Sequence, residues 1–248
     1  MKKMLKLVSV ILVVVMSVCV FASCSEKKDD NVLTMATSAD FPPYEFYEND
    51  EIVGIDIEIM NAVCEKLGMT LEPQDMSFDS VIGAAQTGKT DIAMSGITIT
   101  EDRKNMVNFT IPYTSTAQSI IVVKDGEIAK KADLDGKKIG VQINTTGDTQ
   151  VTEEFGDDAV ERFQNGALAV ESLKNAKVDC VVIDGEVAKA LVSANEDLEI
   201  IADAYSIEEY AIALSKDNTE LLEKINGALE ELLADGTIDA IMDKYIEE

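Results

Sequence analysis

The 248 residues suffice for one large or two modest domains, and 46% apolar with 27% charged residues is the composition of a folded chain. Acidic residues outnumber basic ones 47 to 21, which argues against nucleic acid as a partner, because neutralising phosphates takes clustered Lys and Arg. Histidine is absent, so Ser-His-Asp and Cys-His catalysis fall away with the commonest zinc ligand, and neither a metal nor a cofactor is expected.

Lys2, Lys3 and Lys6 make a basic start, followed by an apolar run from Leu7 to Ala22, shorter than the ~20 residues that span a bilayer comfortably. The run ends on the small residues Ala22 and Ser23 directly before Cys24, which reads as an export signal over residues 1–23 with its cleavage site. Phe21-Ala22-Ser23-Cys24 resembles a bacterial lipobox, in which the cysteine is lipidated and becomes the mature N-terminus. Phe21 stands where Leu is usual, and Cys19, behind bulky Val18, fits worse. An uncleaved anchor helix is the alternative; either reading places the rest of the chain outside the cytoplasm. Without its first 23 residues the chain sets 18 bases against 47 acids. Residues 24–31 are polar and without apolar periodicity, a short tether.

Past the tether, strand and helix patterns alternate. A strand is predicted over Val32–Ala36, then a helix over Ile55–Leu67 with Ile55, Ile59, Met60, Val63 and Leu67 on one stripe and Gly68 after it. Thr70–Met76 reads as a strand, Phe78–Thr87 as a helix stopped by Gly88, and Asp91–Met94 and Ser119–Val123 as strands. Ile139–Val141 and Cys180–Ile183 are further strands, with helices over Asp148–Glu154, Ala167–Lys174 and Glu186–Ala194. Asp217 with Glu220 signals the start of a helix running to about Asp235. Cys64 falls in a helix and Cys180 in a strand, which suits two separate buried thiols.

The alternation argues for an α/β fold with mostly parallel sheets covered by helices. Ligands of such sheets sit beyond the carboxyl ends of strands. The loops to watch are therefore Thr37–Tyr44, Ser95–Arg103, Gln142–Asp148 and Asp184–Glu186. Ser95-Gly96-Ile97-Thr98-Ile99-Thr100-Glu101-Asp102-Arg103 runs from a strand into a short helix, and its hydroxyls, helix-start N–H groups and guanidinium suit a carboxylate. A surface loop in which Arg103 pairs with Glu101 or Asp102 accounts for the same residues. Arg162, the only other arginine, lies outside these loops. Asp184, read alone, suits the N-cap of the helix that follows it.

The Ser95–Arg103 segment resembles the signature of the polar amino acid ABC-transporter substrate-binding lipoproteins, bacterial solute-binding protein family 3. Ser38-Ala39-Asp40-Phe41-Pro42-Pro43-Tyr44-Glu45-Phe46, Val53-Gly54-Ile55-Asp56, Ala84–Ile92, Gly140-Val141-Gln142 with Thr145-Thr146-Gly147, Val178–Asp184 and Asp235-Gly236-Thr237 follow the same family in order. The resemblance implies a two-lobed periplasmic-binding-protein-like fold with two hinge strands and the ligand in the interlobe cleft. Lobe 1 would take residues 32–115 and 212–248, and lobe 2 residues 119–207. It implies a ligand α-carboxylate at Arg103, Thr98 and Thr146, with Thr145 also among the ligand-binding residues, an α-ammonium at Asp184 with help from Ser95 or Gly96 and from Thr98, and Phe41 against the aliphatic stem. Two departures bear on side-chain specificity: Ser38, with Asp40 beyond it, where an Asp is frequent, and Ile55 where an aromatic wall is frequent. Arginine or lysine, glutamine and cystine stay open as ligands. The partners implied are a free polar amino acid, an ABC permease with its ATPase, and the membrane through a lipid anchor, for a monomer on the outer face of the cell membrane. The reading is of a binding protein and not an enzyme; a small-acid dehydratase with Asp184 as general acid and an amino-acid sensor domain are its rivals.

Overall fold

The computed structural model describes residues 31–201 and 205–246, so the export signal, Cys24 and nearly all of the tether lie outside the described residues. The chain opens with β1 (Val32–Thr37), the small strands β2 (Asp40–Phe41), β3 (Glu45–Glu48) and β4 (Glu51–Val53), and helix α1 (Ile55–Leu67). Then come β5 (Thr70–Asp75), α2 (Phe78–Gln86), β6 (Ile92–Ala93), α3 (Glu101–Met106) and β7 (Asn108–Phe109). The middle of the chain supplies β8 (Thr114–Val123), β9 (Ile139–Gln142), α4 (Thr146–Phe155), β10 (Val160–Phe163), α5 (Gly166–Lys174) and β11 (Cys180–Asp184). It ends with α6 (Gly185–Ser193), β12 (Leu198–Ile200), β13 (Ser206–Tyr210), β14 (Ala213–Leu214), α7 (Thr219–Ala234) and α8 (Thr237–Tyr245).

Two large sheets each form the centre of an α/β lobe. One has the order β5-β1-β6-β14-β7, and the other β10-β9-β11-β8-β12, with β13 also paired to β8; β2, β3 and β4 make a small sheet of their own. β1 is parallel to both of its neighbours, and β9 to β10 and β11, as alternation with helices requires. In the first core Leu33 and Met35 of β1 meet Ile55, Ile59, Met60 and Val63 of α1 and Ile225, Leu229 and Leu232 of α7. The second core gathers Ile120, Val122, Ile139, Val141 and Val182 under Val151 of α4.

The chain crosses between lobes twice, into β8 and out of β13. The two crossings pair antiparallel, Ser206 opposite Gln118 through Tyr210 opposite Thr114. Side chains alternate on such a ribbon. Glu208 and Tyr210 are accordingly buried on one face, while Ile207 on the other is 84% exposed. The ribbon is lashed to the first lobe by backbone bonds from Ile99 to Glu209 (3.0 Å), Tyr113 to Tyr210 (3.0 Å) and Ala211 to Ile97 (3.0 Å).

The long predicted elements stand within a few residues of their expected ends. Helix α4 begins earlier than predicted, at Thr146, because Thr145 caps it by accepting from the Asp148 N–H (3.2 Å). The capping signal expected from Asp217 with Glu220 does not form: α7 starts after Asn218, with no side-chain cap. Cys64 and Cys180 are free and buried, and burial pushes their thiols up to about 11 and about 12.

Candidate ligand-binding site

Loops at the carboxyl ends of β6, β9 and β11 converge with the ribbon on one cavity. It is lined by Phe41, Phe78, Gly96, Thr98 and Arg103 of the first lobe, by Gln142, Thr145, Thr146, Ile183 and Asp184 of the second, and by Gln118 and Tyr210 of the ribbon. The walls leave ≈ 330 Å³ between them.

Arg103 sits on α3, whose first turn Thr100 caps through a bond from the Arg103 N–H (3.2 Å). Its guanidinium donates to the Thr98 carbonyl (2.9 Å) and, across the cleft, to the Asn144 carbonyl (3.1 Å), and lies 5.7 Å from the Phe78 ring centroid. Glu101 pairs instead with Lys104 (2.9 Å), so the surface-pairing reading of Arg103 falls. Burial lowers the Arg103 pKa, and the charge of Glu208 works the other way.

Asp184 caps α6 by accepting from the Glu186 and Val187 N–H groups (2.9 and 3.0 Å). Its other oxygen accepts from the hydroxyls of Thr116 and Tyr210, one from each strand of the ribbon. It is therefore both a helix cap and a cavity wall. At 1% exposure, desolvation pushes its carboxyl up to about 6, against the pull of these four donors.

Glu208, which sequence reasoning passed over, accepts from Thr98 (2.7 Å), Thr146 (2.8 Å) and Gln118 (3.2 Å) on one oxygen and from Gln150 (3.1 Å) on the other. A ribbon carboxylate thus takes the hydroxyl protons of one threonine from each lobe and leaves their lone pairs free to accept. Gln118, Gln142 and Tyr210 were missed as well. Gln142 carried a signal, being the one polar side chain of an otherwise apolar strand. Gln142 is 2% exposed and its Oε1 has no hydrogen-bond partner, which marks an acceptor awaiting a donor.

Not every expected residue reaches the cavity. Ile55 is fully buried in the first core at the start of α1; the cavity's aromatic lining includes Phe78, which also packs with Val81, Ala84 and Ala85 beneath it. Ser95 lies beneath the loop, accepting from the Ser38 N–H (3.1 Å) and donating to Glu45 (2.6 Å). Ser38 donates to Asp40 (3.1 Å), and both line a separate hollow with Tyr47, Asp75 and Met76. Gly96 is required where it stands: its φ is +52°, and a Cβ there would come within 2.8 Å of the Phe41 ring. Arg162 is tied to the site after all. It grips Asp148 (2.9 and 3.0 Å), whose carboxylate accepts from the Asn144 N–H (3.1 Å), and Asn144 in turn accepts from Arg103.

Residues 33–248 match the model of the bacterial extracellular solute-binding proteins, family 3. The arginine-binding extracellular protein ArtP of Bacillus subtilis (strain 168) is 34% identical over 250 residues, 98% of this chain and 97% of the relative. Solved structures of an ancestral arginine-binding protein are similar throughout. The glutamine-bound form has 41% identity and a TM-score of 0.84 over 89% of this chain and 100% of that one. The arginine-bound form has 43% and 0.82 over 88% and 99%. With its two α/β lobes, paired crossings and cleft at the strand ends, the chain belongs to the bacterial extracellular solute-binding proteins of family 3.

Proposed function

We propose that this protein captures a free polar amino acid outside the cytoplasm and presents the closed, loaded form to the permease of an ABC importer with its ATPase. One observation carries the reading: Arg103 and Asp184, opposite in charge and 9% and 1% exposed, line the same cavity. A zwitterion answers both. Its carboxylate suits Arg103 and the N–H groups of Thr98 and of the start of α4. Its ammonium suits Asp184 and the lone pairs that Glu208 leaves on Thr98. Phe41 and Phe78 take the aliphatic stem. The unpartnered Gln142 oxygen favours a side chain bearing N–H donors, which arginine and glutamine both have, in keeping with the arginine-binding relative and the glutamine-bound structure.

In the same reading residues 1–23 are removed on export and Cys24 carries the lipid anchor. The lobes are 32–115 with 212–248, and 119–207, in a monomer. The test is thermal unfolding of the purified protein with L-arginine, L-lysine, L-glutamine or L-cystine, and with agmatine, which is arginine without its carboxylate. Ligand at 100 times its Kd stabilises by ~2.7 kcal/mol. L-arginine or L-glutamine is expected to raise the midpoint and agmatine to leave it in place. No shift with any of the four amino acids would sink the proposal.

A further inference from the structure

Behind the Ser95–Thr98 loop lie two carboxyl groups that ligand contact leaves unused. Glu45 on β3 and Asp56 in the first turn of α1 are both 0% exposed. Asp56 accepts from the Gly96 N–H (2.9 Å) on one oxygen and from the Tyr113 hydroxyl (2.8 Å) on the other. Glu45 Oε1 accepts from the Ser95 hydroxyl (2.6 Å). Glu45 Oε2 is buried and no donor reaches it, while the Asp56 carboxyl lies within reach of the Glu45 carboxyl. The other titratable groups facing the pair are Asp40, Tyr44, Tyr113 and Asp184, none of them a cation. Among the described residues no Lys or Arg pairs with either carboxyl.

Two ionised carboxylates in contact, out of water and without a counter-ion, repel each other and lack solvation. They would also leave Glu45 Oε2 a buried acceptor with no donor. A single proton on that oxygen converts the clash into an O–H···O⁻ bond, among the strongest of hydrogen bonds. We propose that Glu45 is a positioning residue held as a neutral acid: it carries a proton on Oε2, donates it to Asp56, and the bonded pair fixes the Ser95–Gly96 backbone at the cavity wall. Burial and the neighbouring Asp56 charge push the Glu45 carboxyl well above the carboxylate range, in agreement with that placement. The effect on ligand rests on the cavity being the amino-acid site, whereas the proton does not.

Glu45→Gln mimics the protonated acid, with an oxygen for Ser95 and an N–H for Asp56; Glu45→Ala removes both. The first arm is infrared spectroscopy of the purified protein at pH 7, where wild type should show the carbonyl stretch of a buried, protonated carboxylic acid and Glu45→Gln should lose it. The second is thermal unfolding from pH 4.5 to 8. A carboxyl whose folded pKa is raised contributes stability that is full below its unfolded value of ~4.3 and is lost as pH rises towards the folded one. Wild type should therefore fall progressively relative to Glu45→Gln as pH rises. The third is calorimetry with L-arginine at pH 7, where Glu45→Gln should bind within about threefold of wild type and Glu45→Ala at least about tenfold more weakly. Since the first two arms contain no ligand, failure of wild type to bind L-arginine would count against the cavity reading and leave the protonated pair standing. An absent band, a pH-independent gap between wild type and Glu45→Gln, or a folded Glu45→Gln that no longer binds would each overturn the proposal.

Discussion

The Ser95–Arg103 and Gln142–Asp148 loops meet at the bond from the Arg103 guanidinium to the Asn144 carbonyl, but different chemistry stands behind each. The first loop rests on Glu45 and Asp56, fully buried acceptors with no cation beside them. The second rests on Asp148 and Arg162, an ion pair whose arginine side chain is 30% exposed and shared with the still more open Asp157. Buried bonds are hard to lose and insensitive to salt, because a polar group stripped of its partner there has no water to turn to. An ion pair whose arginine is partly exposed, with only its carboxylate buried, is more open to screening by salt than bonds buried throughout. One wall of the cleft should therefore be rigid, and the other adjustable.

Breaking the rigid wall at its charged tip should produce the largest effect. Truncating one member of a buried charge pair costs ~2–5 kcal/mol, so Arg103→Ala should weaken L-arginine binding roughly 30-fold to several-thousand-fold by calorimetry. The same variant should hardly distinguish L-arginine from its α-amide, which wild type should reject; equal discrimination by both proteins would show that Arg103 does not read the carboxylate.

A smaller loss is expected on the opposite side. Asp184→Asn keeps shape and removes charge, and should weaken binding by about tenfold or more, ~1.4 kcal/mol. It also carries a pH signature. With its folded pKa raised to about 6, Asp184 contributes stability that is full below its unfolded value of ~3.9 and is drained as pH rises through about 6. Ligand-free Asp184→Asn should lack that decline in thermal unfolding. A variant that binds as well as wild type and follows the wild-type pH curve would remove Asp184 from the site.

The smallest effect sharpens the comparison most. Arg162→Ala releases Asp148 and through it Asn144, but Arg162 lines no part of the cavity, and the loss it passes on to binding should stay within the ~0.2–1 kcal/mol of a weak ion pair. Binding should fall less than about sixfold. The deficit should shrink further at high salt, whereas the Arg103→Ala deficit should persist. Salt-independent losses for both would mean that the two walls are held alike.

Whatever was long or locally patterned in this chain was legible. The α1 stripe, the Gly68 stop and the apolar cores of β8 and β11 follow from periodicity alone. Strands of two to four residues, such as β2, β7 and β14, are too short to show alternation and exist only through their partners. The site divides the same way. Gly96, Thr98, Arg103, Thr145, Thr146 and Asp184 lie in contiguous loops and were found there. Glu208 was invisible, because its meaning comes from Thr146 and Thr98, 62 and 110 positions away. Ile55 was expected at the cleft and lies in the core, because sequence does not reveal which face of α1 turns inward.

Thr116, Gln118, Glu208 and Tyr210 alternate along the ribbon by which the chain passes from lobe to lobe; Thr116, Glu208 and Tyr210 hold Asp184, Thr98 and Thr146, and Gln118 braces Glu208. In the proposed closing motion the pivot is therefore also the floor of the cleft. An occupant loads the axle as well as the doors, and two molecules that press equally on both lobes but differently on the ribbon should set different angles of closure.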